Sequence, residues 1–108
     1  MNHPYSLNET EKQAMEYLKE VIDPEIGLNI VDLGLIYSII VLESAQTINV
    51  TMTLTTQFCP MGASIVGSVE ETLKEYFPQY EVEVILTFEP GWDAGMISDA
   101  GKAFLEEE

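Results

Sequence analysis

The chain has 108 residues, 46% of them hydrophobic, and a formal charge of −15 from nineteen acidic residues against four basic ones. That length fits one domain around one core, and the apolar fraction excludes the disordered class despite the charge. With only Lys12, Lys19, Lys74 and Lys102 to meet phosphates, nucleic acid and anionic membranes are poor partners; a solubilising surface, a basic protein face or a cationic metal fits the field.

The N-terminal "MNHPYSLNETEK" has neither a basic nor an apolar signal segment, and no apolar run approaches the length of a membrane span, so a soluble, cytoplasmic protein is expected. Residues 1–6 read as a flexible leader. In "SLNETEKQAMEYLKEVI", Ser6 stands three residues before Glu9 in capping-box spacing, and Leu7, Met15, Leu18, Val21 and Ile22 fall near one helical face. This first helix is expected to stop near Asp23, because Pro24 biases its predecessor away from helical angles, with Gly27 in the turn that follows.

The run "IVDLGLIYSIIVLE" predicts a strand from about Leu35 to Glu43, buried on much of both faces. In "TINVTMTLT", Ile48, Val50, Met52 and Leu54 alternate with threonines and Asn49, which predicts a half-buried strand with its threonine face outward, joined to its predecessor through "SAQ" as a hairpin. After Pro60, Ile65, Val69, Leu73 and Phe77 lie four apart, predicting an amphipathic helix that ends before Pro78. "EVEVILTF" turns Val82, Val84, Leu86 and Phe88 inward as a third strand, parallel to one hairpin strand. "SDAGKAFLEEE" closes the chain as a short helix capped by Ser98, with 106–108 as an acidic tail. The expected fold class is α+β: a two-layer sandwich in the order α-β-β-α-β-α, one domain over residues 1–108, with a mixed sheet of about three strands and its helices on one face.

One cysteine, Cys59 in "TLTTQFCPMGAS", stands where the second strand gives way to the middle helix, with Pro60 at the first helical position. Unpaired amides at a helix start favour a thiolate, which makes Cys59 a candidate nucleophile or metal ligand; the competing reading is a buried small apolar residue. The only histidine, His3, lies in the leader, so a Cys-His dyad is poorly supported, and no zinc-ligand spacing occurs. Asp23 and Glu25 flank Pro24 as turn residues or site carboxylates. Asp32 must find hydrogen bonds inside an apolar segment, as a cap or a site residue. Thr55 and Thr56 sit at the strand end, where they can satisfy the next helix start, and Trp92 in "FEPGWDAGM" is a core plug or a partner anchor.

Taken together, "DPEIGLNIVDLGLIY", "VTMTLTTQFCPMG" and "FEPGWDAGMISDAGKAFL" resemble the SufT-like iron-sulfur maturation family, also described as PaaD-like or MIP-type metal-sulfur cluster biosynthesis proteins. The resemblance runs from about Leu7 to Leu105. It implies a small α+β factor that assists insertion of iron-sulfur clusters into client proteins, for which a non-catalytic role is the favoured expectation, with the family's cysteine at Cys59, its acidic turn at Asp23 and Glu25, and its threonine pair at Thr55 and Thr56. Where many members read a double proline before the tryptophan, this chain has Pro90, Gly91 and Trp92. PaaD proteins proper carry a cysteine-rich C-terminal extension that this sequence lacks, so the SufT-like branch is the closer resemblance.

A cluster usually takes four thiolates, so Cys59 as a ligand for a transient iron-sulfur cluster or iron needs others from outside the chain. A homodimer is one source, and assembly machinery, client apo-proteins or a small thiol are the rest; no permanently bound cofactor is expected. Two other classes stay open: a cysteine-dependent enzyme on an acyl or sulfur-containing substrate, and a pure interaction adapter.

Overall fold

The computed structural model describes residues 8–56 and 62–106. Helix α1 (Glu9–Leu18) leads through a turn to a single helical turn α2 (Ile30–Leu33). Strands β1 (Ile36–Leu42) and β2 (Thr47–Met52) follow, then helix α3 (Gly62–Tyr76), strand β3 (Glu81–Leu86), a 3₁₀ turn (Ala94–Met96) and helix α4 (Asp99–Glu106). The expected α+β sandwich is borne out, with α2 added inside the apolar run read as leading straight into a strand.

The α1 cap lies two residues beyond the expected one. Asn8 Oδ1 accepts from the Glu11 N–H at 2.7 Å, and Glu11 Oε1 accepts from the Asn8 N–H at 2.9 Å, a complete capping box. Ser6 lies outside the described residues. The helix also ends earlier than expected, at Leu18, because the chain beyond it is claimed by another partner: Val21 O accepts from the Ile30 N–H at 3.0 Å, and Ile22 forms a β-bridge with Asn29. Val21 stays buried while Ile22 turns outward.

The sheet order is β1-β2-β3. β1 and β2 form an antiparallel hairpin, with Ile39 opposite Val50 and Leu42 opposite Thr47, closed by the turn at Glu43–Gln46. β3 runs parallel to β2, from Thr47 opposite Glu81 to Met52 opposite Leu86, as a strand-helix-strand passage requires. Ile39, Val41, Ile48, Val50 and Met52 share one continuous core with Ala14 and Leu18 of α1 and Ile65, Val69 and Leu73 of α3. Each of the larger of these side chains, Val, Leu, Ile or Met, stabilises the fold by about 1.5–3 kcal/mol when fully buried.

Two strand expectations need correction. β1 is not buried on both faces, for Ile40 and Leu42 are 48% and 47% exposed on the side of the sheet away from the core. The apolar run is continuous because it joins a helical turn to a strand with an open apolar face. Thr53, expected on the outward face, is fully buried between buried Met52 and Leu54. Strand β2 has ended by then, and the Thr53 N–H turns aside to Leu35 O at 2.9 Å, which breaks the two-residue alternation.

Candidate functional site

At the end of the sheet where β2 finishes, Met52 to Thr56 lead into residues 57–61, and α3 begins at Gly62. Cys59 and Pro60 lie outside the described residues. The flanks are fixed closely. Leu54 is buried, and a Cβ on Gly62 would stand 2.6 Å from Leu54 Cδ1, so strand end and helix start meet at a position that admits only glycine without a shift. Thr55 is half-buried and Thr56 exposed, and Thr56 is engaged in an interaction.

The acidic turn is tied to this strand end through the backbone. Asp23 N–H bonds to Leu28 O, Ile30 N–H to Val21 O, Leu35 N–H to Ile30 O and Thr53 N–H to Leu35 O, all between 2.9 and 3.0 Å. Asp23 itself is 1% exposed, and its Oδ1 accepts from the Glu25 N–H at 2.8 Å and the Ile26 N–H at 3.3 Å. A buried carboxylate held by two amides organises its own loop, an Asx turn, rather than offering a free base. Glu25 is exposed at the turn and is itself engaged. Of the two carboxylates, one shapes the loop and the other faces outward.

On the same side of the fold, α2 is clamped by the C-terminal segment. Asn29 caps α2, its Oδ1 accepting from the Asp32 N–H at 2.9 Å. The Asp32 carboxylate accepts from Asn29 Nδ2 and from Ser98 Oγ, each at 2.8 Å, and its carbonyl accepts from the Ser98 N–H at 2.8 Å. These bonds, that from Asn29 foremost, hold the Asp32 carboxyl below the ordinary range, with Ser98 and the charge of Lys19 assisting against partial burial. Asp32 is therefore a structural hub, and Ser98 joins it while capping α4 through the Gly101 N–H at 3.0 Å. Asn29 was not singled out by sequence reasoning, although Asn29 and Asp32 stand at cap spacing.

Trp92 is half-buried, packs against the core and donates its indole N–H to Leu33 O at 2.7 Å. Its polar edge is committed inside the molecule, the geometry of a plug. Tyr37 supports the same segment, its hydroxyl donating to Pro90 O at 2.7 Å. Among the described residues, no three or more His, Cys, Asp or Glu side chains converge to hold a metal ion, and no helix is long and apolar enough to cross a membrane.

This architecture has close relatives. An Fe-S protein maturation auxiliary factor of Porphyromonas gingivalis is 39% identical over 98 residues, covering 91% of this chain and 90% of that protein. The Fe-S protein maturation auxiliary factor SufT of Staphylococcus aureus is 40% identical over 85 residues, covering 79% of this chain and 96% of its own. The crystal structure of a DUF59 domain from Bacillus anthracis shares the fold with a TM-score of 0.85 at 35% identity, over 91% of this chain and 92% of that one. Residues 11–86, which run from α1 to the last residue of β3 and enclose both the acidic turn and the β2–α3 junction, match the family described as iron-sulfur cluster assembly protein. The chain belongs to the iron-sulfur cluster assembly protein family.

Proposed function

We propose that this protein is an iron-sulfur maturation auxiliary factor that works in the cytoplasm, assisting transfer of clusters to client apo-proteins, with Cys59 as its reactive or ligating group. The observation that carries this reading is the family match over residues 11–86, which spans the junction where the chain's single cysteine stands between the end of β2 and the start of α3. The relatives' designation as Fe-S maturation auxiliary factors points the same way.

Asp23, Glu25, Thr55 and Thr56 shape the surroundings of that thiol. Asp23 does so by fixing the turn that the backbone ladder ties to Thr53. The cluster is cargo rather than a resident group. A single thiolate supplies one of the four ligands a cluster usually takes, so the others come from the assembly machinery, from a client cysteine, from a small thiol or from a second copy's Cys59. A hydrolytic or acyl-transfer role for the thiol is less well supported, because the Asp23 carboxylate is spent on backbone amides and no histidine lies beyond His3.

Deleting the gene and measuring cluster-dependent enzymes under iron limitation tests the proposal. Clients should lose activity while their polypeptide levels hold, and added iron should restore part of it. Unimpaired clients under iron limitation and oxidative stress would refute it.

A further inference from the structure

The two edges of the sheet differ. On the β1 side, the outward N–H of Val41 is taken by Glu11 Oε2 at 3.0 Å, so the carboxylate that completes the α1 cap also occupies a donor of that strand edge. β3 forms the other edge. Its hydrogen-bonding phase is set by two bonds, Glu81 N–H to Gln46 O and Thr87 N–H to Met52 O, both 2.9 Å. In a parallel ladder, a residue's N–H and C=O point to the same side, and successive residues alternate. Glu81, Glu83 and Ile85 therefore serve β2, and the backbone groups of Val82, Val84 and Leu86 face outward. None of the three has a hydrogen-bond partner among the described residues outside its own strand pairing.

The side chains along this edge are specific in chemistry. Glu81 and Glu83 are exposed on the open face, in register with Thr47 and Asn49 of β2, and Ile85 beside them is 47% exposed. On the core side, Val82 and Val84 are half-buried and Leu86 is 42% exposed. A groove of about 610 Å³ lies against the strand, lined in part by Glu81, Val82, Glu83, Tyr80 and Lys74. Unpaired donors and acceptors about 6.6 Å apart select an extended backbone, and two outward carboxylates two residues apart select cations at the same spacing. A second copy of this chain is a poor fit, since it brings another −15 to the contact.

We propose that β3 receives an extended segment of a partner protein as a fourth strand, and that the segment carries two basic residues two apart with an apolar residue two further on. Antiparallel pairing, the more stable per residue, gives the order apolar-x-basic-x-basic from N- to C-terminus. The apolar residue lies beside Ile85 and the two cations beside Glu83 and Glu81. The intervening side chains fall over Val84 and Val82. The edge is formed by β3 residues alone, and the proposal does not depend on cluster delivery.

The test uses the full-length protein without iron or sulfide and a fluorescein-labelled, end-capped peptide reading Gly-Ser-Leu-Val-Lys-Val-Lys-Val-Gly-Ser, followed by anisotropy. Saturable binding is expected. The double substitution Glu81→Lys and Glu83→Lys should weaken it by roughly three- to tenfold, as expected for two exposed ion pairs. N-methylation of the two valines flanking the first lysine removes donors aimed at β3 and should abolish binding; N-methylation of the two lysines, whose N–H groups point away, should not. No binding, equal binding of both N-methylated peptides, or occupation of the edge by a second copy in sedimentation equilibrium would each overturn the proposal.

Discussion

Gly27 and Gly34 share a backbone angle, φ +85°, but not an environment, and the contrast allows the clamp on α2 to be weighed. Nothing lies within 4 Å of a Cβ built on Gly27, whereas one on Gly34 would sit 2.4 Å from Met96 O and 2.8 Å from Met96 Cβ. Gly27→Ala carries only the left-handed penalty, about 1–2 kcal/mol. Gly34→Ala carries the same penalty plus a clash with backbone, for which overpacking costs of about 1–3 kcal/mol are the guide, so a total near 2–5 kcal/mol is expected. Relief of the clash means moving the 3₁₀ turn away from α2, which pulls on the Trp92 bond to Leu33 O and the Ser98 bonds to Asp32. Urea unfolding monitored by fluorescence of the only tryptophan reads stability and local environment together. Gly34→Ala should show the lower midpoint and a red-shifted native emission, and Gly27→Ala an unshifted one. Equal midpoints for the two variants would refute the claim that close packing of Met96 on Gly34 holds the C-terminal segment in place.

Glu11→Ala removes the acceptor of both the Asn8 and Val41 N–H groups and should cost about 2–3 kcal/mol in urea unfolding, against less than about 0.5 for the exposed Gln13→Ala. The Asp32 carboxyl is held below its ordinary 3.8, so its contribution to stability is complete above that pH and disappears as pH falls through the lowered folded value. Asp32→Asn should therefore flatten the loss of stability on acidification below roughly pH 4, read from urea midpoints across a pH series; an unchanged slope would show that the bonds from Asn29 and Ser98 do not favour the charged form. Tyr76, stacked on Tyr17 with ring centroids 3.7 Å apart, donates its hydroxyl to Glu20 Oε2 at 2.5 Å, and its pKa is pushed up to about 12. The folded chain keeps that proton longer than the unfolded one, so this stabilisation is present below the ordinary 10.0 and lost as pH rises toward 12; Glu20→Gln should bring one tyrosinate absorbance step down toward 10.

Local pattern revealed what local physics governs. The threonine alternation of β2 and the four-residue spacing of Ile65, Val69 and Leu73 each report a single buried face; α3 carries its spacing as expected, and β2 follows its period as far as Met52. The failures share a different cause. Two capping boxes compete in "SLNETEKQ", and Asn8 with Glu11 prevails in a setting where Glu11 also reaches Val41, a strand thirty residues away. α2 is too short to show a period, and its signals, Asn29 at the start and left-handed Gly34 at the end, sit in an apolar run that imitates a strand. The burial of Thr53 depends on Leu35 O, and the role of Asp32 on Ser98 sixty-six residues on. The candidate site divides in the same way. The acidic turn was legible as a turn, but that Asp23 is buried and holds two amides, while Glu25 faces out, follows only from the packed structure.

Replacing the chromosomal gene with a Cys59→Ala allele, with expression of the variant matched to the native protein, tests the central claim most directly. The measured quantity is the cluster occupancy of client enzymes purified from iron-limited cells. A thiol that binds or passes the cluster predicts occupancy as low as in the full deletion, together with an unchanged urea midpoint for the purified variant. Occupancy equal to that of the parent strain would contradict the account and leave the protein an adapter whose cysteine has no part in maturation.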